Sequence, residues 1–184
     1  MAIVVTVAAG NMAELLTSVE TVEKTQRWTI KGFSALPRAV GEPTKSEQFE
    51  AGGRQWRLQV YPGGEMEESK EFVSLFLELV DAETNPLRAK FELAIINHAG
   101  HRANGIASAG YREFGPANAV LTVSPRWGKR NLILRATLLD ESKGFMLNDA
   151  VTFEVKLTVI GAEQQQSGTE DGSRKFEQST LKAN

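Results

Sequence analysis

His98 and His101 are the only imidazoles in the chain, three residues apart in Asn-His-Ala-Gly-His-Arg. Two imidazoles at that spacing can share a metal ion, but a site needs further donors, and the next acid along the chain is Glu113. Solvated loop histidines are the expectation. Glu65, Glu67, Glu68 and Glu71 gather carboxylates as a cation loop would. They lack the Asp-rich spacing and central glycine of a calcium loop, so the run reads as a solvated face. Cysteine is absent, which removes disulfides, thiolate zinc sites and thiol nucleophiles together. No phosphate-binding G-x-x-x-x-G-K-[ST], no G-x-G-x-x-G between strand and helix, and no G-x-S-x-G occurs. Nothing nominates an acid–base pair among the 23 carboxylates. The expectation is a protein without catalysis, metal or cofactor.

The remaining chemistry is that of surfaces. With 21 Lys plus Arg against 23 Asp plus Glu, the chain carries a net charge of −2, which argues against nucleic-acid binding through bulk charge. At 184 residues, 41% hydrophobic and 24% charged, it has the balance of one globular domain with some tail. A chain of this length buries roughly 70% of its extended-state surface, enough to fold without a staple. Residues 2–10 are apolar, but the first basic residue is Lys24, so a signal peptide's charged start is missing. No stretch approaches the ~20 apolar residues of a membrane-spanning helix. The expectation is a soluble intracellular protein, cytoplasmic or nuclear, with no membrane partner.

Residues 11–24 read as a helix. Asn11 caps it, Glu14 completes a capping box, and Met12, Leu15, Val19 and Val22 fall at 3-4-3 spacing. Two roles suit it: lying on the following domain, or forming a short oligomerising stalk through residues 12–22. From Trp28 to Ile160 the period changes to two. Trp56, Leu58 and Val60 alternate with Arg57, Gln59 and Tyr61, and Val73, Leu75, Leu77 and Leu79 with Ser74, Phe76 and Glu78. Val151, Phe153, Val155, Leu157 and Val159 alternate with Thr152, Glu154, Lys156 and Thr158. Turn signals such as Gly52-Gly53, Pro62-Gly63-Gly64 and Asn148-Asp149 separate the runs. One apolar face per strand without strand–helix alternation gives an all-β antiparallel sandwich. Residues 162–184 are nearly devoid of apolar side chains and read as a disordered tail.

Several phrases resemble one family in its own order. Trp28-Thr29-Ile30-Lys31-Gly32-Phe33-Ser34 resembles the opening strand of the MATH (meprin and TRAF homology) domain. Ser46 to Phe49, Gly52-Gly53, Trp56 to Val60 and Pro62-Gly63-Gly64 resemble its second and third strands. Val73 to Leu77, Arg88 to Leu93, Trp127-Gly128 and Gly144-Phe145 to Asn148-Asp149 continue the likeness. It spans about residues 25–161, after a leader and helix over 1–24, and is nearest in flavour to the speckle-type POZ and plant BTB/MATH proteins. The resemblance implies an eight-stranded antiparallel sandwich that binds short extended peptides, Ser/Thr-rich in the speckle-type branch. The resemblance further implies that this groove lies beside an edge strand and serves substrate recruitment in ubiquitin pathways. The other reading is an oligomeric scaffold assembled through the N-terminal helix.

The resemblance carries groove positions onto Phe76, Phe91, Tyr111 and Trp127. Alternation independently turns Phe76 away from Leu75 and Leu77, whereas Phe91 shares the parity of Leu93 and Ile95 and suits the core equally. The chain departs from the speckle-type pattern in Trp127-Gly128-Lys129-Arg130, where a cation replaces an aromatic at Lys129 and Arg126 replaces an acid before the tryptophan. Arg126, Lys129 and Arg130 make this edge basic. That favours acidic or phosphorylated peptides, or else serves only solubility.

Overall fold

The computed structural model of the chain describes residues 2–9, 12–82, 86–108, 110–117 and 123–160. Its strands are β1 (Ala2–Ala9), β2 (Met12–Val19), β3 (Thr21–Lys31), β4 (Thr44–Lys45), β5 (Phe49–Ala51), β6 (Arg54–Tyr61), β7 (Phe72–Leu79) and β8 (Leu87–Ile96). These are followed by β9 (Arg102–Ala107), β10 (Arg112–Phe114), β11 (Val123–Ser124), β12 (Arg126–Leu134), the short helix α1 (Arg135–Leu139), β13 (Met146–Leu147) and β14 (Ala150–Ile160).

Two sheets face each other across one core. The first runs β3-β14-β8, with β9 and β10 sharing the far side of β8. The second runs β12-β7-β6, with β4 and β5 sharing the far side of β6. Counting each shared side as one lane gives four lanes per sheet, the expected eight-stranded sandwich. β11 adds a short parallel pair to β10, and β13 a short hairpin to β14.

The period-two alternation explains the layers. Trp56, Leu58 and Val60 of β6, Val73, Leu75 and Leu77 of β7, and Val151, Phe153 and Val155 of β14 are all buried in one cluster. Trp56 meets Phe114 edge to face, with ring centroids 4.9 Å apart at 82°, and donates from Nε1 to the Ala51 carbonyl at 3.0 Å. The turn between β13 and β14 places Asn148 and Asp149 at φ 51° and 55°, the left-handed pair that a two-residue hairpin requires. The Asp149 carboxylate accepts from Ser34 N at 2.8 Å and from Ser34 Oγ at 2.9 Å, which fastens the end of β3 to this turn.

The helix expected over residues 11–24 is not formed. Met12–Val19 is a strand paired antiparallel with Ala2–Ala9, and Thr21–Lys31 is a strand paired with β14 from Thr21 opposite Ile160 to Lys31 opposite Ala150. Two competing preferences explain this. Two heptads are too short to nucleate a helix well. Thr17, Val19, Thr21 and Val22 are β-branched and suit an extended chain, and β14 offers β3 a long register of partners. The stalk built on that helix falls with it. The tail over 162–184 lies outside the described residues.

Among the described residues no helix is long and apolar enough to cross a membrane.

Candidate functional site: the cleft beside the β12 edge

β12 pairs with β7 on one side only: Arg126 opposite Glu78, Trp127 opposite Leu77, Gly128 opposite Phe76 and Lys129 opposite Leu75. Pairing then breaks and resumes at Ile133 opposite Val73, a bulge that bends the strand. Ser74 Oγ covers part of the break by donating to the Arg130 carbonyl at 2.5 Å. No strand pairs with the other side of β12 among the described residues, so it is an edge.

Register sorts its side chains between two faces. Trp127 and Lys129 share the inner face of Leu77 and Leu75, whereas Arg126 and Gly128 share the outer face with Phe76. Phe76 is 8% exposed although it stands outside the core cluster. Its cover comes from its own sheet. Tyr61 approaches edge to face with centroids 5.7 Å apart, and the Arg126 guanidinium lies 5.3 Å from the Phe76 centroid and 5.6 Å from that of Tyr61. Gly128 supplies the remaining space. A Cβ there would fall 2.6 Å from Phe76 Cα and 2.8 Å from its ring, so the aromatic lies over β12 only because no side chain opposes it.

A polar network holds Arg126 in place. It donates to the Tyr61 hydroxyl, and Tyr61 donates in turn to Gln59 Oε1 at 2.9 Å. Arg126 Nη2 reaches Glu65 Oε1 at 2.8 Å, and Arg130 Nε reaches Glu65 Oε2 at 2.5 Å. One carboxylate, its side chain only 9% exposed, thus serves two guanidinium groups. Pro62-Gly63-Gly64 folds Glu65 back to that position. A Cβ on Gly63 would lie 2.6 Å from the Arg38 carbonyl carbon, and Gly64 adopts φ 86°, so both positions need glycine. Glu65 N then donates to Ser74 Oγ at 3.1 Å. Burial pushes the Tyr61 phenol above its ordinary value, with Glu65 adding to the effect and Arg126 opposing it. At the next position along the same face, burial raises Glu78, but hydrogen bonds from Arg57 and Gln59 outweigh it and hold the carboxyl low.

These residues line a cleft of about 420 Å³ that includes Glu65, Phe76, Arg126, Trp127, Gly128 and Arg130. Of the seven positions expected at a groove, four are gathered here: Phe76, Arg126, Trp127 and Arg130. Trp127 forms its inner wall, half-buried against the core, donating from Nε1 to the Glu113 carbonyl at 2.9 Å beneath the Arg112 guanidinium. Lys129 lies on the same strand but on the inner face, away from Phe76. Phe91 is not brought to the cleft. It is 4% exposed in the core, edge to face with Phe114, because its parity is that of Leu93 and Ile95. Tyr111 is exposed ahead of β10, with Arg88 5.9 Å from its ring, and does not line the cleft.

Tyr61, Gln59 and Glu65 are members that the motif reading missed. For the first two the signal was present, since both alternate against Trp56, Leu58 and Val60 and so had to face outward beside Phe76. Glu65 was grouped with its acidic neighbours as a solvated face; pairing to two arginines separated by sixty residues of sequence left no local mark. The basic edge is correspondingly weaker than its sequence suggests, because two of its three cations share Glu65. His98 and His101 are both exposed around a turn closed by Gly100 N donating to the Asn97 carbonyl at 2.8 Å. Among the described residues no cluster of three His, Cys, Asp or Glu is gathered that could hold a metal ion.

Two largely antiparallel sheets packed across one core make this an all-β sandwich. A family model described as MATH domain matches residues 25–157, and the chain belongs to that family. Domains of this family are in general protein–protein interaction modules. In solved structures the chain is similar in fold to TRAF5 of Notothenia coriiceps, at 18% identity and a TM-score of 0.52 over 77% of this chain and 76% of that one.

Proposed function

We propose that the β12 edge and its cleft bind a short extended peptide of a protein partner, and that the chain works as a non-catalytic adaptor. The observation that carries this reading is the juxtaposition of an edge strand paired on one side with an aromatic floor at Phe76. A peptide added along β12 satisfies the strand's open backbone groups, while its alternate side chains enter the cleft. Arg126 and Tyr61 offer polar contacts to Ser, Thr or an acidic or phosphorylated residue. Recognition of this kind suits substrate recruitment in a ubiquitin pathway, in cytoplasm or nucleus, with the catalytic machinery supplied elsewhere.

The test is a synthetic array of peptides of about ten residues, long enough to span an edge strand. It contains Ser/Thr-rich sequences and their glutamate- and phosphoserine-substituted versions, probed with the wild-type chain and with Phe76→Ala. A discrete set retained by the wild type and weakened about tenfold or more in a variant with an unchanged circular dichroism spectrum is the expected result. An array that retains nothing, or the same set retained equally by both proteins, overturns the proposal.

A further inference from the structure

Among the described residues, six arginines pair with carboxylates, and Arg38 and Arg135 donate to backbone carbonyls. Arg88 and Arg112 do neither, and each lies over an aromatic ring instead. Arg112 is the one at the β12 edge. It stands opposite the buried Ala89, so it shares the inward face of β10 and meets Trp127 across the gap between the sheets. Its guanidinium carbon lies 5.1 Å from the Trp127 centroid, and Trp127 Nε1 is tied to the Glu113 carbonyl at 2.9 Å. The ring is thereby fixed, and a guanidinium resting on it keeps its N–H donors for another partner. Two residues along, Lys129 occupies the same face of β12, half-buried, and no described carboxylate pairs with it or with Arg112. The Glu113 side chain is exposed on the other face of β10, opposite Arg88.

We infer that Arg112 and Lys129, over and beside Trp127, form an anion subsite for a glutamate or aspartate of the ligand, at a residue next to the one over Phe76. The inference rests on the peptide-binding reading above and adds a charged position to it. A peptide extended along the open side of β12 sends successive side chains to opposite faces. The one beside Gly128 takes the outer face and reaches Phe76, because Gly128 has no side chain to intervene. Its neighbours, beside Trp127 and Lys129, take the inner face, where the two cations stand. On the outer face Arg126 and Arg130 already share Glu65, whereas the inner pair has no counter-charge among the described residues. An apolar ligand residue there would cover two charges without pairing either. A carboxylate meets a guanidinium fork held on an indole, with a flexible ammonium beside it.

The experiment takes a peptide retained by the wild type on the array and resynthesises it with glutamate and with glutamine at each position in turn. Fluorescence-polarisation affinities are compared for wild type, Arg112→Gln/Lys129→Gln, Lys129→Gln and Arg88→Gln, each checked by circular dichroism. The wild type is expected to favour glutamate about tenfold at one position. That ratio is expected to fall close to one in the double variant and partway in Lys129→Gln. Arg88→Gln, which removes the same charge as Arg112→Gln but from the outer face, is expected to keep it. A wild type with no such position overturns the inference, as does a ratio that survives in the folded double variant. A ratio lost equally in Arg88→Gln also overturns it, since the preference would then be one of overall charge. Should the double variant lose its fold, Lys129→Gln decides, because it breaks no ion pair among the described residues, and an unchanged ratio there overturns the inference. Each of these results leaves peptide binding standing. Failure of the wild type to bind the parent peptide in solution overturns the peptide-binding reading itself, and the inference with it.

Discussion

Replacing Gly128 with valine is expected to abolish ligand binding and to loosen the β12 edge, whereas Gly53→Ala, in an open turn at φ 68°, costs only local backbone strain and leaves binding intact. Gly128 is not among the glycines at positive φ, so its backbone conformation suits any residue and the requirement is for space alone. That space is the contact between two strands. A Cβ at 2.6 Å from Phe76 Cα is closer than side-chain atoms come, and the atom it meets belongs to backbone that cannot rotate away. Either β12 separates from β7 across the Gly128–Phe76 pair, or Phe76 is driven out from beneath Arg126 and Tyr61. Overpacking of this kind costs about 1–3 kcal/mol, and more when main chain must move. Both routes destroy the cleft, because its floor and its edge are the two things displaced. Urea denaturation and peptide affinity measured on the same preparation check the expectation. A Gly128→Val protein with wild-type stability and affinity would show that Gly128 does not lie opposite Phe76 between β12 and β7.

The largest effect on stability is expected at Trp56, on the same β6 strand that presents Gln59 and Tyr61 to the cleft from its other face. Its side chain is fully buried, packs edge to face on Phe114 and donates to the Ala51 carbonyl. Phe114 in turn contacts Phe91, so the three rings bridge the two sheets. Trp56→Ala removes the packing, leaves a cavity and strands a carbonyl, for a loss of about 3–5 kcal/mol. In a domain of this size that corresponds to a fall in Tm of roughly 10 °C. Trp56→Phe is expected to recover part of the loss, since a ring would still meet Phe114 while the indole N–H would be gone. Calorimetry gives the answer. A loss below about 1.5 kcal/mol for the alanine variant would mean that the sheets close around the site or that this aromatic bridge is not central.

The sandwich was legible because its signal is local. Period-two alternation in β6, β7 and β14 told which side chains enter the core, and the same arithmetic turned Phe76 outward. The N-terminal segment was misread for an equally physical reason. Met12, Leu15, Val19 and Val22 fit a helical stripe, but the choice was made by β-branched residues and by pairing partners as far away as Ile160, neither of which a helical wheel weighs. Phe91 shows parity overruling likeness: a groove position by resemblance, it went where Leu93 and Ile95 go. The cleft was half legible. Phe76 and Trp127 carried a motif, whereas Glu65 acquired its role through arginines that follow it by some sixty residues, and its acidic neighbours disguised it. Charge in the sequence is a sum over positions; charge in the cleft is what remains after pairing.

Amide chemical-shift mapping of the labelled chain, titrated with an array-selected peptide, tests whether ligands lie along β12 and over Phe76. The largest changes are expected at Phe76 and from Arg126 to Arg130, with Gln59 and Tyr61 following. Changes centred instead on the outer face of the other sheet, around Lys90 and Lys156 where the structure has a second depression, would contradict that placement.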